Sequence, residues 1–180
     1  MSIKNKMEKI LVYDNFLKES EINRVMSIIN DKSWSWGHVS NKMETLTMTP
    51  FWSIDLSEDE FFTSYLKKIF EDHFSKKFKL KRVYANGQTY GQDGTYHVDD
   101  ENPLAMTVCL YITKIDPELV DSAGGYIYLK IPDKKYNLCY EPLFNRIIAF
   151  PSSYLHKATS YSRYFTDMRI CVAWKLIEII

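Results

Sequence analysis

The hydrophobic period of this chain changes once, near Lys81, and that change limits the folds open to it. Before it, apolar residues recur at helical spacing. Ile22, Val25, Met26 and Ile29 put one face on a helix over about Lys18 to Asn30. Phe61, Phe62, Tyr65, Leu66, Ile69 and Phe70 do the same for a second helix ending near His73, for which Ser57 and Glu60 form a capping-box pattern. A short strand, Lys9 to Tyr13, precedes both. From Lys81 the period is two. Candidate strands are Arg82–Ala85, Gln88–Tyr90, Met106–Thr113, Gly125–Ile131, Arg146–Phe150 and Arg169–Lys175. Turn signals separate them: Asn86-Gly87, Asp93-Gly94, Asn102-Pro103, Pro132-Asp133 and Pro151-Ser152. Short strands at close spacing with no helix between them point to an antiparallel sandwich or barrel. The expectation is an α+β chain forming a single domain over residues 1–180, with about 1–80 as helical support and about 81–180 as a jelly-roll core.

Charge and cysteine content narrow the function. Lys plus Arg and Asp plus Glu number 23 each. The basic excess typical of a nucleic-acid binder is missing, and no nucleic-acid partner is expected. No apolar run approaches the ~18 residues of a membrane span, and Met1 to Lys6 is polar, unlike a secretory signal. Cys109, Cys139 and Cys171 are odd in number, widely spaced and without a CxxC, which fits free thiols in a reducing compartment. A cytoplasmic protein, monomer or homodimer, is expected.

The segment Tyr96-His97-Val98-Asp99 carries the chemistry. Residues i and i+2 of an extended chain share a face, so the His97 imidazole and the Asp99 carboxylate can converge on one point. Of the four histidines, only His97 and His156 lie in the β region; His38 and His73 read as loop and helix-surface residues. Two His and one carboxylate on one face of an ion make the facial triad of non-haem Fe(II) sites, which leaves positions for cosubstrate and oxygen. The alternating run from Arg169 places Arg169, Cys171 and Ala173 opposite Ile170, Val172 and Trp174. If it faces inward, an Arg beside small residues needs an anion, which either a structural carboxylate or a dicarboxylate ligand would supply.

Blocks of this sequence follow a family order. They are Tyr90-Gly91…Gly94…Tyr96-His97-Val98-Asp99, Thr107 to Thr113 (TVCLYIT), Gly124-Gly125-Tyr126-Ile127-Tyr128-Leu129, Glu141-Pro142…Asn145-Arg146, Ile147 to Phe150, His156-Lys157-Ala158, and Arg169 to Trp174 (RICVAW). Together, over about half the chain, they resemble the iron(II)- and 2-oxoglutarate-dependent oxygenases of the prolyl 4-hydroxylase-like branch. The resemblance implies a double-stranded β-helix, or jelly roll, behind N-terminal helices. It implies His97, Asp99 and His156 as iron ligands, Arg169 on the distal carboxylate of 2-oxoglutarate, and Tyr111 on that same carboxylate. Gly124-Gly125 matches a small-residue pair at the turn into the next core strand. Fe(II), 2-oxoglutarate and O2 would be the reactants, with ascorbate as an auxiliary, and C–H hydroxylation would release succinate and CO2. The loop Ser160 to Thr166 is a few residues longer than the family pattern, which makes Arg163 a rival to Arg169.

The resemblance suggests a peptidyl proline in a peptide or protein, while a free amino acid or other small-molecule substrate stays open. Tyr84, Tyr90, Tyr96, Trp34, Trp36 and Trp174 are the candidate pocket residues. Two other classes stay open: a cupin-type metal barrel with isomerase or lyase activity, and a non-catalytic binding module on the same fold.

Overall fold

A computed structural model describes residues 10–40 and 49–180 of the chain. Lys9 of the first expected strand and residues 41–48 lie outside the described residues. The strands are β1 (Leu11–Tyr13), β2 (Ser35–His38), β3 (Phe51–Asp55), β4 (Lys77–Gln88), β5 (Ala105–Tyr111), β6 (Ile127–Lys130), β7 (Asn137–Tyr140), β8 (Ile147–Pro151), β9 (His156–Ala158) and β10 (Arg169–Ile179). The helices are α1 (Glu19–Asp31), α2 (Lys67–Phe74), which continues a π-helical turn over Phe61–Leu66, and α3 (Val120–Ala123).

Seven strands form one antiparallel sheet in the order β1-β8-β5-β10-β4-β3-β2, and three form a second, β7-β6-β9. The long β10 lies centrally, between β4 and β5. Period two divides its side chains. Val172, Trp174 and Leu176 enter the core beneath the helices, where Trp174 meets Phe62 and Phe70 and its indole N–H donates to the Phe62 carbonyl at 2.9 Å. The helices supply Ile22, Val25 and Ile29 from α1, and Leu66 and Phe70 from the second helical segment. On the other face, Tyr84, Cys109, Tyr111, Cys171 and Ala173 pack with Ile127 and Leu129 of β6, between the two sheets. Asn145, at φ 59°, ties the start of α1 to this framework: its side chain accepts from the Leu17 N–H and donates to the Leu17 carbonyl.

Several local expectations change. β4 runs straight through Asn86-Gly87 rather than turning there. A Cβ on Gly87 would lie 2.1 Å from the Met168 sulfur and 2.8 Å from the Trp34 ring, so this glycine makes room for packing. The second helix is not capped by Ser57. Asp59 Oδ1 accepts from the Phe61 N–H at 3.0 Å instead, and the first turn is π-helical. β2 and β3 add two strands to the edge of the large sheet in sequence that carries no clean period.

Candidate metal and cosubstrate site

The sheet register lays out the floor of a cavity of about 390 Å³. Along β10, Arg169, Cys171, Ala173 and Lys175 stand opposite Gln88, Asn86, Tyr84 and Arg82 of β4. Cys171, Ala173 and Lys175 stand opposite Tyr111, Cys109 and Thr107 of β5. All of these except Thr107 line the cavity, together with His97, Asp99 and His156.

His97 and His156 are joined through their backbones: each N–H donates to the other's carbonyl at 2.9 Å. His156 opens β9, while His97 and Asp99 lie on an extended segment outside the named strands. The Asp99 N–H is held by the Ser152 carbonyl at 2.9 Å. Each imidazole is oriented from behind, with Nδ1 of His97 2.9 Å from the Thr95 carbonyl and Nδ1 of His156 2.8 Å from the Tyr154 carbonyl. A carbonyl only accepts, so each Nδ1 carries the proton and each Nε2 presents a lone pair. Those Nε2 atoms lie 3.6 and 3.4 Å from the Asp99 carboxylate. One donor atom from each of the three residues falls within 4.8 Å of the others, a set suited to a divalent ion. Burial holds the His156 pKa down at about 4, so this ring is neutral near pH 7 and fit to ligate.

Asp99 Oδ2 accepts from the Thr107 hydroxyl at 2.6 Å and from the Lys175 ammonium. Burial opposes the charge on Asp99, but the Lys175 ammonium acts against it and the carboxyl stays far below the usual range. Burial likewise acts against Lys175, and Tyr84 and Asp99 reverse the balance and keep the ammonium protonated. Sequence reasoning missed Lys175. The signal was present, since the alternation from Arg169 continues one step past Ala173.

Arg169 is 2% exposed. Its Nε donates to the Gly125 carbonyl at 2.6 Å and its Nη1 to Gln88 Oε1 at 3.0 Å. Both acceptors are neutral, and no carboxylate pairs with this cation among the described residues. The guanidinium lies over the Tyr111 ring, and the buried Tyr111 hydroxyl has no hydrogen-bond partner. A buried cation without an anion beside an unmet hydroxyl fits one end of a dicarboxylate. Gly125 belongs here through its backbone: its φ is 75°, and a Cβ would lie 2.6 Å from the Tyr161 ring.

The remaining candidates separate. Tyr84 lines the cavity. Trp174 does not reach it, because the strand's alternation sends its ring into the core on the other face. Tyr90 is exposed, and Tyr96 takes a hydrogen bond from Asn137 with Lys130 and Lys157 over its ring, outside the cavity. Trp34 packs against the core, and Trp36 meets Trp52 in a tilted ring contact at the sheet edge. Arg163 is exposed against Tyr164, far from the role that Arg169's place suits. His38 is on β2 rather than in a loop, and its ring lines the cavity between Phe51 and Tyr84.

No family model matches the sequence, and no curated protein does. Solved structures do match. A prolyl hydroxylase from Trichoplax adhaerens, in complex with a hypoxia-inducible-factor peptide fragment, is 16% identical with a TM-score of 0.71 over 97% of this chain and 85% of its own. A Pseudomonas putida prolyl-4-hydroxylase is 13% identical, with a TM-score of 0.66 over 94% and 93%. A non-haem α-ketoglutarate-dependent epimerase from nogalamycin biosynthesis is 8% identical, with a TM-score of 0.67 over 96% and 78%. At such identities the likeness concerns fold: this chain has the double-stranded β-helix of the iron- and 2-oxoglutarate-dependent oxygenases.

Proposed function

We propose that the protein is a non-haem Fe(II)- and 2-oxoglutarate-dependent dioxygenase that hydroxylates a C–H bond, converting 2-oxoglutarate and O2 to succinate and CO2 as one oxygen atom enters the substrate. The observation that carries this reading is the buried, anion-free Arg169 in the same cavity as the His97, Asp99 and His156 donors. His97, Asp99 and His156 would hold the iron, which supplies the oxygen-activating redox chemistry. Arg169 offers two parallel donors to the distal carboxylate of 2-oxoglutarate, and the Tyr111 hydroxyl adds a third. Thr107 and Lys175 fix Asp99 through Oδ2 and leave Oδ1 for an ion. The dry floor around Cys109, Ala173 and Ile127 keeps water from the reacting groups.

A peptidyl proline is the first substrate to test, because the fold neighbours include prolyl hydroxylases. That support is analogy, since the same fold also carries an epimerase.

Anaerobic protein given Fe(II) and then 2-oxoglutarate is expected to develop a visible charge-transfer band. His97→Ala, Asp99→Ala and His156→Ala should each remove the band and weaken Mn(II) binding severely, whereas His73→Ala should leave both intact. A wild-type protein that binds Mn(II) but shows no band with 2-oxoglutarate would refute the oxygenase reading and favour the cupin-type alternative.

A further inference from the structure

We propose that the substrate carries a carboxylate, held next to the metal-binding residues by Lys175 and Arg82; this deepens the oxygenase reading and rests on it. The starting observation is a mismatch in the sheet. Lys175 of β10 and Arg82 of β4 are direct cross-strand partners on the cavity face. Like charges so placed destabilise an antiparallel pair unless an anion lies between them. Both cations lean on one ring, with Arg82 Cζ 4.1 Å and Lys175 Nζ 5.7 Å from the Tyr84 centroid.

Their anions are few. Lys175 has Asp99, and Arg82 has no carboxylate within ion-pair distance among the described residues. Lys81, which also lines this end, is matched by Asp100 at 2.7 Å. A divalent ion on Asp99 would neutralise the one carboxylate that serves Lys175. The ammonium has three donors and Asp99 Oδ2 occupies one of them. In the loaded site Lys175 would share the charge of Asp99 with the ion, and Arg82, which feels Asp55 without pairing to it, would stay open to solvent.

This cation pair is separate from the cosubstrate anchor. Arg169 and Lys175 are six residues apart on one extended strand, roughly 20 Å of backbone. A ligand that runs from the triad to Arg169 leaves Lys175 and Arg82 on the far side of Asp99. Tyr84 and His38 wall the space there. The whole cavity, about 390 Å³, lies near the lower end of the ~300–1,000 Å³ range of small-molecule sites and must hold the cosubstrate as well. The recognised group is therefore close to the reacting carbon, either the free carboxylate of an amino-acid-sized molecule or an acidic side chain adjoining the reacting residue of a peptide.

The test uses the full chain loaded with Mn(II) and saturated with N-oxalylglycine, a non-reacting analogue of 2-oxoglutarate. Paramagnetic relaxation of probe protons reports affinity and nearness to the metal together. Two matched pairs serve as probes: N-acetyl-L-proline against its N-methylamide, and acetyl-Asp-Pro N-methylamide against the Asn counterpart. The acid of one pair should bind about tenfold more tightly than its neutral partner. The pair that shows the preference identifies the source, small molecule or peptide. Arg82→Gln and Lys175→Gln should each reduce the preference, and the double variant should abolish it. Lys79→Gln, an exposed lysine of the same strand, should retain it. Equal relaxation by acid and neutral probes, or none by either, overturns the proposal, as does a preference that survives the double variant. Failure to bind Mn(II) would instead overturn the oxygenase reading. Saturation-transfer measurements on the metal-free protein then decide the carboxylate claim by the same preference and its dependence on Arg82.

Discussion

The two faces of β10 make opposite demands on one run of sequence. Val172, Trp174 and Leu176 lie in a dry core and are satisfied by contact alone, apart from the one indole hydrogen bond. Arg169, Cys171, Ala173 and Lys175 face the cavity, where a buried Arg169 and a half-buried Lys175 bracket two small side chains. The core face is energetically complete as it stands. The cavity face is not, because Arg169 has only neutral acceptors and the Tyr111 hydroxyl has none. Adjacent residues on this strand therefore answer to different tests, stability for one set and ligand binding for the other.

The largest expected effect breaks the core face. Trp174→Ala should destabilise the fold by about 3–5 kcal/mol, through lost burial and an unfilled cavity, as read by urea unfolding. A loss below about 1 kcal/mol would mean that the indole is not packed as described.

Arg169→Ala should do the reverse, with little change in the urea midpoint and 2-oxoglutarate affinity weakened by about 2–5 kcal/mol, roughly thirty- to several-thousand-fold. Mn(II) binding should survive, since the donors come from other segments. Arg169→Lys should keep part of the affinity, and Arg163→Ala should keep all of it. Calorimetric titration with N-oxalylglycine measures each. If Arg163→Ala showed the loss instead, the roles given to the two arginines would have to be exchanged.

Tyr111→Phe sharpens the contrast further. Removing an unpartnered buried hydroxyl should leave the thermal midpoint without N-oxalylglycine unchanged or slightly higher. With the ligand present, the variant should gain less, by about 1 kcal/mol of binding. A drop in ligand-free stability would show that the hydroxyl is already satisfied.

The smallest effect concerns rates. Cys139 is exposed, while Cys109 and Cys171 are buried in the cavity floor. One thiol per native chain should label quickly, and three after denaturation without reductant. Two fast thiols in the native protein would mean that the floor opens readily to solvent.

How much of this could be read from residues follows from the same alternation. The HxD pair and Arg169 are legible because extended chain sends i and i+2 to one side, His156 because it is the other histidine of the β region, and the helices because their stripes are regular. Lys175 escaped because a lysine after Trp174 looks like a solvated strand end; its burial depends on Asp99, which is remote in sequence. Asn86-Gly87 reads locally as a turn because Met168 and Trp34, the side chains that occupy the space above Gly87, are remote in sequence. Ser57 looked like a helix cap for a similar reason, since nothing local shows that Asp59 takes that hydrogen bond. His38 reads as a loop residue because β2 pairs only at the sheet edge and has no period of its own.

The paired backbone bonds between His97 and His156 have a consequence for how this chain can change over time. The spacing of the two imidazoles is set by main-chain pairing, which does not depend on the identity of the residues in between. Insertions and deletions within residues 114–119 or 132–136, which lie outside the strands, can alter length and surface while both rings keep their places. Lineages of such a protein are free to remodel what surrounds the centre long before they alter the centre itself.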